Sequence, residues 1–405
     1  MFYHNYRRLG FGLSRELWLV QIGVFLNTLG WGAVLPFEVI YLHDERGFSL
    51  GVAGLVVGAL TGVGVIAAPL TGPLIDRFGA RVCAVGAGLA LAVGYAWLAF
   101  VHSPLPAFAA AAIAGAGNGA LNPSQSTLLA SLASPNVRHR ATAVSRVATN
   151  AGFGLGGALG GLVAARGLNG FVALFLANAL TYLLYVVVLV AVVREEARPE
   201  RLAGGYRLIL RDRAFVHLAL ANVAVIAVGW GGLPWLVPPF ARNSLGVGAQ
   251  LIGVLMLANA TTVVVAQVPV ARFAEGRRRV VMMAAGASFI AAAFVLVVSA
   301  NAYAALVVAA VVIGVGECFH TSALMPLVAD LAPPALRGRY MAAMGLSWWV
   351  GLALAPTLGT ELLSVSAALT FAACTVTAGA AAVSLLTLER RLPDAARLTP
   401  RPVHA

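Results

Sequence analysis

Hydrophobic positions along this chain come in long, nearly unbroken runs, and the polar positions gather into short turns between them. A helix needs roughly 20 apolar residues to cross the hydrocarbon core of a bilayer. Twelve runs reach that length once the polar turns are taken as boundaries, over about 17–42, 50–72, 80–101, 105–131, 141–165, 169–193, 214–240, 248–271, 279–299, 302–330, 337–362 and 366–388. Hydrocarbon supplies no hydrogen-bond partner, so each span has to be a helix and each connection a turn at the membrane surface. The longest polar stretch, Arg194 to Arg213, carries Arg-Glu-Glu-Ala-Arg-Pro-Glu-Arg and then Gly204-Gly205, between spans six and seven. It divides the chain into an N-terminal segment (1–16), a six-helix bundle (17–193), a linker (194–213), a second six-helix bundle (214–390) and a tail (391–405). The pattern predicts an all-α membrane protein of twelve transmembrane helices in two bundles.

Composition agrees with the pattern. Hydrophobic residues make up 60% of the chain and charged residues 10%, with a mean hydropathy of +0.89, against roughly 25% charged in soluble domains. The 44 glycines suit helices that pack backbone to backbone inside a membrane. The net charge of +12 comes entirely from arginine, and topology explains it better than nucleic acid does. With the N-terminus in the cytoplasm, 23 of the 27 arginines fall on the cytoplasmic side. Only Arg46, Arg166 and Arg242 fall opposite, and Arg146 lies within a span. Positive charge is retained on the cytoplasmic face, so both termini are expected there. Cys83, Cys318 and Cys374 sit in apolar runs without metal-ligand spacing and read as packing residues. The first run follows Arg7, Arg8 and Arg15 and is too long for a cleaved leader, so it reads as a retained first span. The chain shows neither a phosphate-binding Gly-x-x-x-x-Gly-Lys loop nor a nucleophile elbow, which argues against ATP-driven transport and against an enzyme. No metal or organic cofactor is expected.

Sequence motifs narrow the reading. Gly72-Pro73-Leu74-Ile75-Asp76-Arg77-Phe78-Gly79-Ala80-Arg81 is a polar hinge between the second and third spans. Pro135-Asn136-Val137-Arg138-His139-Arg140 is echoed 199 residues later by Pro334-Ala335-Leu336-Arg337-Gly338-Arg339, and Arg77-Phe78 by Arg272-Phe273. Two halves related in this way place a substrate cavity between them near the midplane. With the cadence Gly-x-Leu-x-Asp-Arg-x-Gly-x-Arg, the set resembles the major facilitator superfamily over nearly the whole chain. Closest in appearance are its bacterial drug-proton antiporters, because Gly152-x-x-x-Gly156-Gly157-x-x-Gly160-Gly161 in the fifth span is similar to their Gly-x-x-x-Gly-Pro-x-x-Gly-Gly motif. Two departures stand out: Gly157 replaces the motif proline, and Gly115-x-x-x-Gly119 occupies the place of the fourth-span Arg-x-x-x-Gly. The glycines either shape transport direction or form a packing seam alone. The resemblance implies that Gly72, Asp76, Arg77, Gly79 and Arg81 form a cytoplasmic gate loop, with Asp76 facing the start of span eleven near Leu336. A carboxylate at a helix N-terminus is favoured by roughly 0.3–1 kcal/mol. Arg77 and Arg81 are equally readable as plain cytoplasmic charges. Arg272 in the second-half copy has no neighbouring acid, and Asp330 at the end of span ten is a candidate partner.

Ionisable groups in hydrocarbon cost at least about 2.5 kcal/mol each and so face a cavity or a partner. Glu317, His320, Glu38 and Arg146 are the proton-coupling candidates. Glu317 and His320 are three residues apart on one helix face and could form a protonatable pair; a structural link between helices is the alternative. Glu38 shares a stripe with Asn27 and Trp31 and lies either on a cavity wall or in water at the outer end. Asn118, Asn122 and Gln125 form a second stripe, and Asn222, Trp230, Asn259, Trp348 and Trp349 complete the candidate lining. Trp230 and Trp235 also suit membrane-interface anchors. The expectation is a proton-coupled exporter of small amphipathic molecules: a monomer in a bacterial inner membrane, powered by a proton gradient, with no nucleic-acid partner. Uptake by symport or facilitated diffusion is the alternative, with a non-transporting sensor behind it.

Overall fold

The structure, a computed structural model, describes residues 13–132, 138–193, 209–333 and 336–399, and the side chains of Asp76 and Arg146 lie outside that description. In chain order the span-length helices are α1 (Arg15–Val34), α2 (Leu50–Phe78), α3 (Ala80–Leu98), α4 (Pro104–Leu132), α5 (Arg138–Ala164) and α6 (Leu168–Val192). They continue with α7 (Arg213–Val228), α8 (Ala249–Ala274), α9 (Arg279–Val298), α10 (Tyr303–Leu331), α11 (Arg337–Leu354) and α12 (Ala367–Leu388). Eleven helices among the described residues are long and apolar enough to cross a membrane. The remaining one, α4, has the length at 29 residues but carries Asn118, Asn122, Ser124, Gln125 and Ser126 along its second half. No strand occurs among the described residues. The chain is an all-α, multi-pass membrane protein, as its hydrophobic pattern predicts.

Local chemistry sets the ends. Ser14, Asp212 and Ser366 cap α1, α7 and α12 by accepting hydrogen bonds from first-turn amides, satisfying donors a helix start leaves without intrahelical partners. The turn after α2 is shorter than the sequence suggests. Gly72-Pro73 does not end the helix, which runs on to Phe78 with Pro69 and Pro73 inside it. Gly79, at φ 88°, makes the break, a left-handed conformation that glycine adopts at little cost.

The two halves of the chain are interrupted at matching places. Pro123 in α4 and Pro326 in α10 lie inside their helices, as do Pro69 in α2 and Pro269 in α8. The first helix of each half also breaks near its far end. After Val34, α1 continues as a tight turn at Leu35–Phe37, then Glu38–Ile40 and a wide turn at Tyr41–Glu45. After Val228, α7 continues through Gly232–Trp235 and Val237–Leu245. Prolines are tolerated within a bilayer where neighbouring helices, hydroxyl side chains or local adjustment re-satisfy the freed carbonyls.

Contacts divide the chain into two units. The first takes α1 through Phe37 and the chain from Ala59 to the end of α6; the second takes Glu38–Gly58 and the described residues from Ile209 onward. Glu38–Gly58, which lies before the linker in sequence, therefore has its packing partners in the second unit. In the first unit α1 packs on α5 and α6, and α3 on α4 and α6; in the second, α9 packs on α10 and α12, and α8 on α10. Large apolar side chains such as Ile66, Leu180, Val265 and Val376 are exposed, as surfaces solvated by lipid allow.

One ion pair in the second unit corrects an expectation. Asp330 on α10 pairs with Arg279 at the start of α9, at 2.6 Å, rather than with Arg272. Arg279 is 1% exposed, and its Nε and Nη1 have no hydrogen-bond partner. Asp330→Asn would leave a buried guanidinium uncompensated. Breaking buried pairs costs about 3–5 kcal/mol, and the half-exposed carboxylate places this one at the lower end. The expected result is an earlier thermal unfolding transition in detergent, with Arg272→Gln as a neutral control. The tail described as far as Thr399 folds back on the turn after α8, where Gly276 N–H donates to the Thr399 carbonyl and Thr399 N–H to that of Arg277.

Candidate functional site

In the second unit the polar side chains converge on α10. His320 is fully buried, with Nε2 2.9 Å from Asn222 Oδ1 on α7. The Asn222 amide donates to Ser347 Oγ on α11 at 2.9 Å, and Ser347 donates to the Met344 carbonyl at 2.7 Å. A neutral imidazole therefore carries its proton on Nε2, and Nδ1 has no partner. Trp230 stands 6.0 Å from the imidazole and 4.9 Å from Trp348, centroid to centroid. This chain ties α7, α10 and α11 together and gives the indoles a rigid backing.

Glu317 turns elsewhere. It is 7% exposed, and its polar neighbour is the Asn259 amide on α8. Asn259 also donates to the Ala310 carbonyl at 3.2 Å. Gly314, one turn before Glu317, lets α8 come this close: a Cβ there would lie 3.1 Å from the Asn259 carbonyl oxygen and 3.1 Å from Thr262 Cβ. Neither a hydrogen bond nor an ion pair joins Glu317 to His320, so the expected protonatable pair is not formed. Residues three apart still differ by about 60° around a helix, and here the difference sends one side chain toward α8 and the other toward α7.

Glu38 is also corrected. At 3% exposure it does not meet water, and it accepts a hydrogen bond from Trp235 Nε1 at 3.2 Å. Trp235 is itself 2% exposed and so is not an interface anchor. Six residues further on, Asp44 pairs with Arg242 at 2.5 Å. Beyond it, Gly51, Gly54 and Gly58 lie against Glu361, Pro356 with Thr360, and Thr357 respectively. Spacings of three and four put those glycines on one helix face, a small-residue signal that sequence reading passed over. Trp235→Phe removes the indole donor from a buried carboxyl. A typical intramolecular hydrogen bond contributes about 0.5–1.5 kcal/mol net, so faster amide hydrogen exchange is expected across residues 38–48, with α12 unchanged as internal reference.

The first unit holds a cavity of about 250 Å³ lined by α1, α4 and α5. Asn122 and Gln125 reach it, together with Gln21, Ser145, Thr149 and Asn150, which the sequence motifs do not single out. Ser145 donates to Gln21 Oε1 at 2.7 Å, while the Gln21 amide donates to the Ala141 carbonyl at 3.1 Å. Asn118 and Asn27 are buried off this wall. Trp31 packs edge-on to Phe153 of α5 at 4.8 Å. Trp349, unlike half-buried Trp348, is buried. Gly152, Gly156 and Gly160 all face α1, against Phe25, Leu29 and Ala33, while Gly157 and Gly161 are buried beside them.

In the gate-loop motif, Gly72 and Arg77 are exposed. Arg81 donates to the carbonyls of Leu189 and Val190 at 3.2 and 2.7 Å. It thereby bonds carbonyls in the last turn of α6, that of Leu189 already accepting from the Val193 N–H, a role inside the first unit that its sequence position did not reveal.

An acid held within a membrane helix without a cation beside it is costly, and such groups generally mark a pathway for ions or substrate. The family model for the Major Facilitator Superfamily matches residues 20–231 and 219–404. The chain belongs to that superfamily and is a membrane transporter, not an enzyme. Among curated relatives, multidrug resistance protein MdtH of Aeromonas hydrophila is 28% identical over 366 residues, covering 87% of this chain and 86% of the relative. The uncharacterised MFS-type transporter YttB of Bacillus subtilis is 26% identical over 361 residues, covering 87% and 89%. Among solved structures, the peptide transporter POT superposes with a TM-score of 0.79 at 16% identity, covering 95% of this chain and 96% of the other. The nucleoside transporter NupG does so at 0.74 and 14%, covering 94% and 100%. At such identities these two establish the fold alone.

Proposed function

We propose that this chain is a proton-coupled exporter that moves small amphipathic molecules across a bacterial inner membrane by alternating access. It works as a monomer with both termini in the cytoplasm and takes its energy from the proton gradient. The observation carrying this reading is Glu317, a carboxyl buried in a span with an amide as its neighbour and no ion pair. A lone buried acid is neutral or charged according to what can reach it, so its proton is the part of the site that can come and go. The Trp230 and Trp348 indoles beside the His320–Asn222–Ser347 chain, and the amide- and hydroxyl-lined cavity of the first unit, suit a ligand with apolar bulk and a few hydrogen-bonding groups. Similarity to MdtH, named for multidrug resistance, favours export of drug-like compounds.

The deciding experiment is transport of a lipophilic dye in proteoliposomes under an imposed pH gradient. Movement of dye against the proton flow, abolished when the gradient is collapsed, is the expected result. Movement with the proton flow would identify a symporter, and unchanged transport after collapse would remove proton coupling.

A further inference from the structure

The face of α10 that turns away from Glu317 and His320 takes no part in the site above. Gly286 of α9 lies against Gly316 and His320, while Asn259 and Thr262 of α8 lie against Gly314, so α9 and α8 flank α10. Each packs on α10 but not closely on the other, which leaves a groove between them with α10 as its floor. Val311, Val315, Phe319, Ser322 and Pro326 line that floor, each exposed or half-buried. Spacings of four, four, three and four keep them on one side of the helix, opposite Glu317 and His320. From Val311 to Pro326 the floor runs about 22 Å, enough for one leaflet's share of a hydrocarbon core roughly 30 Å thick. Ser322 donates its hydroxyl to the Phe319 carbonyl at 3.0 Å, so it presents no free donor to the groove.

Three phenyl rings cross the groove and end on a cation. Phe319 on the floor stands 5.3 Å from Phe289 of α9 and 6.0 Å from Phe273 of α8, centroid to centroid. Phe289 and Phe273 are 38% and 49% exposed. The Arg277 guanidinium lies over the Phe273 ring at 3.7 Å, within cation–π range, and Arg277 is exposed. Its backbone is held in place: Gly276, at φ 70°, takes a conformation open to glycine and donates its N–H to the Thr399 carbonyl, while the Arg277 carbonyl accepts from the Thr399 N–H. Nearby acids are engaged elsewhere. Asp330, past the end of the floor, pairs with Arg279 at 2.6 Å, and Glu389 faces Arg278 at 3.7 Å. In the turn 272–279 that sets Arg272 and Arg277 against one further acid, Glu275, and the rim is net positive.

We propose that this groove binds one acidic glycerophospholipid from the leaflet on the Arg277 side, with an acyl chain along the α10 floor and the phosphate on Arg277. An apolar trough that passes through aromatic rings to a guanidinium matches a molecule with the same sequence of parts. Arginine pairs with phosphate in charge-assisted hydrogen bonds. A zwitterionic lipid would bring an ammonium group to the same arginines, and like charges repel. The bound lipid fills the gap that α8 and α9 leave between them.

The test is native mass spectrometry of the full-length protein in detergent, offered equal amounts of dioleoylphosphatidylglycerol and dioleoylphosphatidylethanolamine. One phosphatidylglycerol is expected to be retained several-fold more often than phosphatidylethanolamine at collision energies that strip loosely held lipid. Arg277→Gln should bring the two to parity, and Val315→Trp, which fills the floor, should lower retention of phosphatidylglycerol. Arg211→Gln, which removes an exposed arginine before α7, should leave the preference unchanged. Equal retention of the two lipids by the unaltered protein would overturn the proposal, as would a preference that survives Arg277→Gln. Equal loss in the Arg277 and Arg211 variants would overturn it too, because the preference would then report total charge. Glycerophosphoglycerol, the same headgroup without acyl chains, should not displace the lipid; displacement would replace the lipid by a soluble phosphate ester. The comparison within the unaltered protein needs no variant to fold, and no arm depends on the direction of transport.

Discussion

Glu317→Gln is expected to leave substrate exchange intact and remove all dependence on the proton gradient. Glutamine keeps the shape of the side chain and its ability to bond the Asn259 amide, but it cannot lose or regain a proton. One pH unit is worth 1.36 kcal/mol per proton. A carrier exchanging one proton per substrate therefore sustains about a tenfold concentration ratio for each unit of imposed gradient. The unaltered protein should approach that ratio in proteoliposomes, while the variant should settle near one, with counterflow of labelled substrate preserved. Full accumulation by the variant would move the coupling role to Glu38. Glu317 is the first choice because Glu38 is anchored by the Trp235 indole, which makes it the better latch and the poorer carrier. His320 has its Nε2 committed to Asn222, so its expected contribution is to hold the α7–α10–α11 wall, not to titrate with Glu317.

The second large effect is expected at the seam of α1 and α5. A Cβ on Gly156 would lie 2.9 Å from the Ala33 amide nitrogen and 3.0 Å from the Leu29 carbonyl carbon; one on Gly152 would lie 2.8 Å from the Phe25 carbonyl oxygen. Those neighbours are backbone and cannot turn aside. The approach is reciprocal, because a Cβ on Gly32 of α1 would lie 2.6 Å from the Phe153 carbonyl oxygen. Gly156→Leu should force the helices apart at a cost of about 1–3 kcal/mol, the usual range for overpacking, with the full leucine at its upper end. At about 2–4 °C per kcal/mol for a unit of this size, the melting temperature in detergent should fall by several degrees, and transport with it. Gly72→Ala is the control: nothing lies within 4 Å of a Cβ there, and alanine is the better helix former. A Gly156→Leu protein with unchanged melting would show that the close approach is not required.

These two sites show how far sequence carried the reading. Four-residue spacing of Gly152, Gly156 and Gly160 announced a smooth groove on one face of the fifth span, but nothing in the spacing said that α1 fills it. Gly51, Gly54 and Gly58 carry a similar signal with a different partner, and its meaning came only from their contacts with residues 356–361. Arg81 looked like part of a polar loop because sequence shows charge without showing the carbonyls of Leu189 and Val190 that it caps. Glu38 looked half-solvated because it lies near the end of an apolar run. The break at Leu35–Phe37, with Pro36 at its centre, turns it toward Trp235.

The sequence by itself determined that the chain is all helix and that its helices are long and apolar enough to cross a membrane. A bilayer solvent enforces this locally: every apolar run must satisfy its own backbone, and each proline or polar turn marks where that fails. Only the tertiary structure decided which helix each polar face meets. It sent Glu317 to α8 and His320 to α7, gave Glu38 to Trp235, and set Gly30 and Gly23 of α1 against Asn178 and Tyr185. Helical periodicity states which residues share a face. The neighbour across that face is chosen by packing among residues a hundred or more positions apart, and no local pattern records that choice.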